Sequence, residues 1–251
     1  MSQQMRKQHI SDYETAYSAS DFEVVQASYR KRLLLEMLEQ FKPNNVIEVG
    51  CGFETIANVW QSFEQFTIIE PGARFAEKAR VDTQHLTSVT VIEHFLEEAT
   101  DVIKTTPDLI LLSSLLHEVP DVEAFLLSAK KMCAKNTVIH INVPNSKSLH
   151  RLLALEMSLI TTLDEPSELQ KSFKQPRIFD LKNLKILVES LGFEVISEGS
   201  FFVKPFTHAQ MQLLKNTGFM HQKILDGLWG LAKHIPEYGS EIYINIQLKD
   251  Q

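Results

Sequence analysis

Two acids and two glycines carry the most legible chemistry in this chain. Glu48-Val49-Gly50-Cys51-Gly52 follows the apolar pair Val46-Ile47, and Phe66-Thr67-Ile68-Ile69-Glu70-Pro71 comes about twenty residues further on. A strand that runs into a glycine turn, then a helix, then a second strand tipped by a carboxylate suits an adenosine ligand. The glycines let backbone approach the ligand, and the acid accepts the two ribose hydroxyls. A carboxylate there favours a free 2′-hydroxyl over a 2′-phosphate.

The elements that must hold these residues follow from apolar periodicity. Val25, Leu33, Leu34, Met37, Leu38 and Phe41 recur at helical spacing and predict a helix over 22–41. Pro43-Asn44-Asn45 breaks it and leads into the first strand. A helix is expected over 53–63, a second strand over 66–70, a helix from Pro71-Gly72 to about His85, and a third strand over 89–92. Leu109-Ile110-Leu111-Leu112 is unbroken apolar, as a strand covered on both faces should be. Asp121 is placed to cap a helix over 122–134, and a fifth strand spans 137–143. Alternation of strands and helices predicts βαβ units and a parallel sheet. After Val143 the rhythm changes. A helical stretch over 149–163 and the connector Asp164-Glu165-Pro166-Ser167 predict an insertion, about 145–177, that covers the site. A core helix over 181–191 ends at Gly192. A strand opening at Phe193, a helical excursion over about 206–234 and an alternating strand over 242–246 complete the chain. Residues 1–21 are expected to form an N-terminal arm before a single domain over 22–251.

A dinucleotide fold usually continues Gly-x-Gly-x-x-Gly or -Ala, and here that last position is Thr55. The shorter Glu-x-Gly-x-Gly after apolar residues instead resembles the first motif of class I S-adenosylmethionine (SAM) methyltransferases. That family often has a third glycine where this chain has Glu54, close to the start of the expected helix, where a carboxylate is favourable. The resemblance covers about residues 22–250. It implies an α/β, Rossmann-like seven-stranded sheet of order 3-2-1-4-5-7-6 with a helical lid, its seventh strand antiparallel between the fifth and sixth, and SAM as cofactor. It implies cofactor contacts from Glu48, Gly50, Cys51, Gly52, Glu70 and Pro71, from Phe95 and Leu96 beside the adenine, and from Ser113 after the fourth strand.

Ligands of open parallel sheets bind outside the carboxyl ends of the strands, which brings Ser113, Ser114 and His117 to the site. Ser113 to Asp121 resembles the family's Leu-His-Glu segment, and His117 is the first choice of base for a hydroxyl or amine acceptor, with His150 and Tyr17 behind it. Val143-Pro144-Asn145 with Ser148-Leu149-His150-Arg151, the Arg177-Ile178-Phe179-Asp180 segment and Lys204-Pro205 resemble a branch of that family acting on small molecules. Tyr17, Arg151, Arg177 and Lys204 are therefore expected on the substrate side. With His150, the three cations would suit a phosphate, carboxylate or nucleotide-linked acceptor.

A formal net charge of -7 makes the chain a poor general partner for nucleic acid, which needs clustered cations. The run Arg30-Lys31-Arg32 is expected on a solvated helix face. Two cysteines, Cys51 and Cys133, make no disulfide framework and suggest reduced thiols in a cytoplasmic protein. No apolar stretch reaches membrane-spanning length, and the polar N-terminus does not resemble a signal peptide. The histidines show no metal-ligand spacing, so no metal is expected. Oligomeric state is closed to sequence reading. The expected function is methyl transfer from SAM to a small polar acceptor such as a sugar, sugar-phosphate or cell-envelope precursor. A non-catalytic SAM- or partner-binding protein is the alternative. A nicotinamide oxidoreductase is disfavoured by Thr55 and by the lack of a Tyr-x-x-x-Lys pair.

Overall fold

The computed structural model describes residues 21–165 and 177–249. Its centre is a seven-stranded sheet in the order β3-β2-β1-β4-β5-β7-β6. The strands are β1 (Asn45–Val49), β2 (Gln65–Ile69), β3 (Val89–Ile92), β4 (Leu109–Ser113), β5 (Val138–Pro144), β6 (Phe193–Phe201) and β7 (Glu241–Leu248). The first five are mutually parallel, and β7 runs antiparallel between β5 and β6. This is the topology the resemblance implied. The carboxyl ends of β1, β2, β3, β4 and β5 therefore lie along one edge.

Helix α1 (Asp21–Phe41) buries Phe22, Val25, Tyr29, Leu33, Met37 and Leu38, a stripe at helical spacing. Helix α2 (Ala73–Thr83) follows β2, and the short α3 (Leu96–Ala99) follows β3. Helix α4 (Val122–Lys131) is capped by Asp121, whose Oδ1 accepts from Ala124 N at 3.0 Å. Helices α5 (Leu149–Glu156) and α6 (Leu181–Ser190) precede β6, and α7 (His208–Asn216) and α8 (Gln222–Leu231) lie between β6 and β7. Gly192 ends α6 at φ +79°, the left-handed turn its position predicted.

One face of the sheet packs Ile47, Ile110, Ile139 and Ile244 against Leu126, Leu184 and Val188. The other packs Val46, Ile68 and Leu111 against Leu34, Leu38 and Trp60. A third apolar cluster joins α1 to α7 and α8 through Phe22, Tyr29, Phe202, Met211 and Leu225.

Two expected helices differ. The segment 53–63 contains one 3-10 turn, Ile56–Asn58. Thr55, Ile56, Asn58 and Val59 are weak helix formers, and the buried Glu48 carboxylate captures the Thr55 hydroxyl and Ile56 N (3.2 Å). Trp60 and Phe63 then pack in a tilted arrangement, with Phe63 also against Phe66. The helix expected over 149–163 stops at Glu156. Ser158 turns left-handed at φ +57°, and Arg151 ties the following loop by donating to the carbonyls of Leu163 (2.9 Å) and Glu165 (2.6 Å). The expected arm over 1–21 lies, but for Asp21, outside the described residues, as do residues 166–176 of the expected insertion.

Candidate active site

The turn after β1 is built by positive φ at Gly50 (+72°) and Gly52 (+55°), a conformation that disfavours a Cβ. Gly50 N donates to Ile69 O at 2.9 Å, which locks the turn beside the end of β2. A Cβ at Gly50 would meet Leu115 Cδ2 at 3.3 Å, whereas one at Gly52 would meet nothing within 4 Å. Gly52 therefore borders open space. Glu70 is 4 % exposed. Its Oε2 accepts from Gly52 N at 3.2 Å and its Oε1 from Gly72 N at 2.8 Å. Pro71, between them, is half-buried. Cys51 is buried with Sγ 3.8 Å from Glu70 Oε2, and burial with the two nearby carboxylates drives its thiol pKa well up. Burial also raises Glu48 to about 7, against the bonds from Thr55 and Ile56. The structure thus brings Glu48, Gly50, Cys51, Gly52 and Glu70 together.

At the end of β3, Phe95 is half-buried at the start of α3. Leu96 is a core residue, 2 % exposed and packed in the cluster that contains Ile69 and Ile110. Ser113 closes β4 in register with Asn142, and Ser114 follows at φ +53°.

Beyond β4 lies a second, polar cluster. His117 is 4 % exposed, and its Nδ1 has no hydrogen-bond partner among the described residues. Its Nε2 is 3.6 Å from Glu118 Oε1. Burial lowers it to about 4, so it is neutral at pH 7. Glu241, at the start of β7, is buried and takes the bonds of three neighbours. Arg30 donates from Nη2 (2.6 Å) and Nε (3.1 Å), Gln26 from Nε2 (3.0 Å) and Asn142 from Nδ2 (2.7 Å). Those cationic and neutral donors hold the Glu241 carboxyl below its usual range despite burial. Lys204 is buried after β6, and desolvation lowers it to about 8. His150, on α5, and His208, on α7, are both held neutral by burial, with Lys204 adding to the effect.

A family model described as "Methyltransferase domain" matches residues 22–198. The chain belongs to the class I SAM-dependent methyltransferases. No curated protein matches it. Among solved structures it is similar to the plantazolicin methyltransferase BamL in complex with a triazolic desmethylPZN analogue and S-adenosylhomocysteine (SAH). That pair is 13% identical with a TM-score of 0.60, covering 98% of this chain and 99% of that one. It is also similar to the N-methyltransferase NodS from Bradyrhizobium japonicum WM9 in complex with SAH, at 10% identity and TM-score 0.57, covering 97% and 98%. The DhpI–SAH complex matches at 14% identity and TM-score 0.57 over all of both chains. At these identities the likeness is one of fold.

Within this methyltransferase, the expected site residues are not all gathered. His117, His150 and Lys204 share the polar cluster. Arg151 lies beside His150; its Nη2 donates to two loop carbonyls, and its buried Nε has no partner among the described residues. Arg177 is half-buried at the start of the second described segment, with no hydrogen bond to the cluster among the described residues. Tyr17 lies outside the described residues. Arg30 is a correction. Instead of a solvated face it occupies a buried ion pair with Glu241, whereas Arg32 stays half-exposed over the Trp229 ring at 4.8 Å. Gln26, Asn142, His208 and Glu241 were not singled out from sequence. The available signal was polarity at buried positions: Asn142 interrupts an apolar strand, and Glu241 immediately precedes another. Among the described residues, no helix is long and apolar enough to cross a membrane.

Proposed function

We propose that this methyltransferase moves the SAM methyl to a small polar acceptor seated between the glycine turn and the polar cluster around His117. The observation that carries the reading is the Glu70 carboxylate joined to the backbone of Gly52, with open space beside that glycine. A ribose fits there because the carboxylate presents oxygen acceptors to its two hydroxyls, and a Cβ-free turn admits the nucleoside. Glu48 and Thr55 hold the turn in shape from beneath. Phe95 is the better placed of the two proposed adenine neighbours, since Leu96 already serves the core.

When bound, SAM supplies a methyl group already activated on a sulfonium, so the protein's task is alignment and exclusion of water. His117 Nδ1, buried, neutral and unpartnered, is suited to take a proton from a hydroxyl or amine acceptor. Helices α1, α7 and α8, joined through Phe22, Tyr29, Met211 and Leu225, are the proposed wall against solvent on that side, and the 145–177 segment is the proposed lid. A sugar, sugar-phosphate or cell-envelope precursor suits a site of this polarity. Transfer of radiolabelled methyl from SAM to pooled small polar acceptors tests the reading. Labelled product that depends on Glu70 and His117 supports it. SAH binding without transfer to any acceptor class would favour a non-catalytic binder.

A further inference from the structure

We infer that Lys204, His150 and His208 form a subsite for an oxyanion, a carboxylate or phosphate carried by the methyl acceptor. The inference rests on the acceptor placement proposed above.

Lys204 is 3 % exposed, yet its ammonium makes no hydrogen bond or ion pair among the described residues. A buried ammonium without an acceptor is costly. The carboxylates of Glu23 and Glu241 attract it through space but do not bond to it. Glu241 gives its oxygens to Arg30, Gln26 and Asn142, and Glu23 pairs with Arg30 at 3.4 Å. His150 Nδ1 and His208 Nε2 are likewise buried and lack hydrogen bonds among the described residues. His208 Nε2 approaches Glu23 Oε2 at 3.5 Å, beyond a hydrogen bond.

Lys204 and His208 both disfavour protonation of His150, and Lys204 disfavours that of His208. Arg151 adds a further positive charge beside His150. The positive end of the nine-residue helix α7 begins at His208. Three buried nitrogens without hydrogen-bond partners among the described residues, one of them an ammonium, suit an oxygen-rich anion. They do not suit a cation: among the described residues, no three His, Cys, Asp or Glu side chains are placed to hold a metal.

The sequence had suggested Arg151 and Arg177 as partners in such a pocket. The geometry adds His208 beside Lys204; Arg151 Nη2 is bound to loop carbonyls, and Arg177 makes no bond to the cluster among the described residues.

The test is a titration of the full chain, with and without SAH, using inorganic phosphate, acetate and sodium chloride at matched ionic strength. Ring ¹⁵N resonances of His150 and His208, assigned by His→Gln variants, report occupancy. Saturable binding of phosphate or acetate that moves both rings towards imidazolium is expected. It should weaken at least tenfold in Lys204→Met and recover in part in Lys204→Arg. A preference for phosphate assigns a phosphate group, and a preference for acetate assigns a carboxylate. Binding no tighter than that of chloride, or equal in a folded Lys204→Met variant, overturns the inference. If Lys204→Met does not fold, His208→Gln carries the same comparison. SAH affinity is read separately by calorimetry. Its loss would count against the cofactor site and leave the anion titration of the ligand-free chain to decide the subsite.

Discussion

Glu70 Oε2 lies 3.2 Å from the backbone nitrogen of Gly52, so the tip of β2 is bonded to the turn that ends β1. Gly72 N holds the other carboxylate oxygen at 2.8 Å. A side chain this fixed presents its oxygens with little rotamer entropy left to lose on binding. The relationship places an acceptor of hydroxyl hydrogens beside a turn with no Cβ to block approach.

His117→Ala should lower kcat by about a hundredfold or more, the usual worth of a positioned proton acceptor, while SAH affinity by calorimetry stays near the wild-type value. Because burial keeps the native His117 pKa at about 4, the imidazole is neutral across the ordinary assay range. Its protonation should cut kcat only as pH falls towards 4. Unchanged turnover in the variant removes His117 from proton transfer.

The buried histidines also make the fold acid-sensitive. His117 and His140 titrate at about 4 in the folded chain against 6.5 as the ordinary value, and His208 at about 3. The unfolded chain thus takes up protons first. Their stabilising contribution is complete above about 6.5 and is lost as pH falls towards 4. His117 and His140 are each worth on the order of 3 kcal/mol over that window. Glu48 has the opposite sign. Its folded pKa of about 7 exceeds the ordinary 4.5, so its contribution is present below 4.5 and lost as pH rises through 7. Thermal melts should show Tm falling from pH 6.5 to 4. Glu48 opposes that trend between pH 4.5 and 7, so Glu48→Gln should steepen the fall in Tm over that range. A Tm independent of pH from 6.5 to 4, or a slope that Glu48→Gln leaves unchanged, contradicts the corresponding burial.

Arg30→Ala strips the bidentate partner from a carboxylate that is 3 % exposed. Leaving such a charge buried costs about 3–5 kcal/mol, readable as a lower urea midpoint. Adding Glu241→Gln removes the stranded charge and should recover part of the loss. A double variant no more stable than Arg30→Ala would mean that the pair is not the relevant interaction.

Much of this was legible in the chain because it is local. Gly50, Gly52 and Glu70 declared themselves by spacing, the unbroken run Leu109–Leu112 announced a strand covered on both faces, and Asp121 and Gly192 marked helix ends. The missing helix over 53–63 was less so, since its apolar residues allowed either state and the deciding bonds come from Glu48. Arg30 escaped because it sits in a basic run that looks solvated, and its partner Glu241 is 211 residues away. His208 escaped for the same reason: a lone histidine acquires meaning only when the fold brings it beside Lys204 and His150.

Calorimetric titration of SAH into Glu70→Ala, against the wild-type chain and with folding checked by circular dichroism, tests the central claim most directly. Loss of charge-assisted bonds to the ribose should weaken SAH at least about tenfold. A folded variant that binds SAH as tightly as the wild type would contradict the placement of the nucleoside between Gly52 and Glu70.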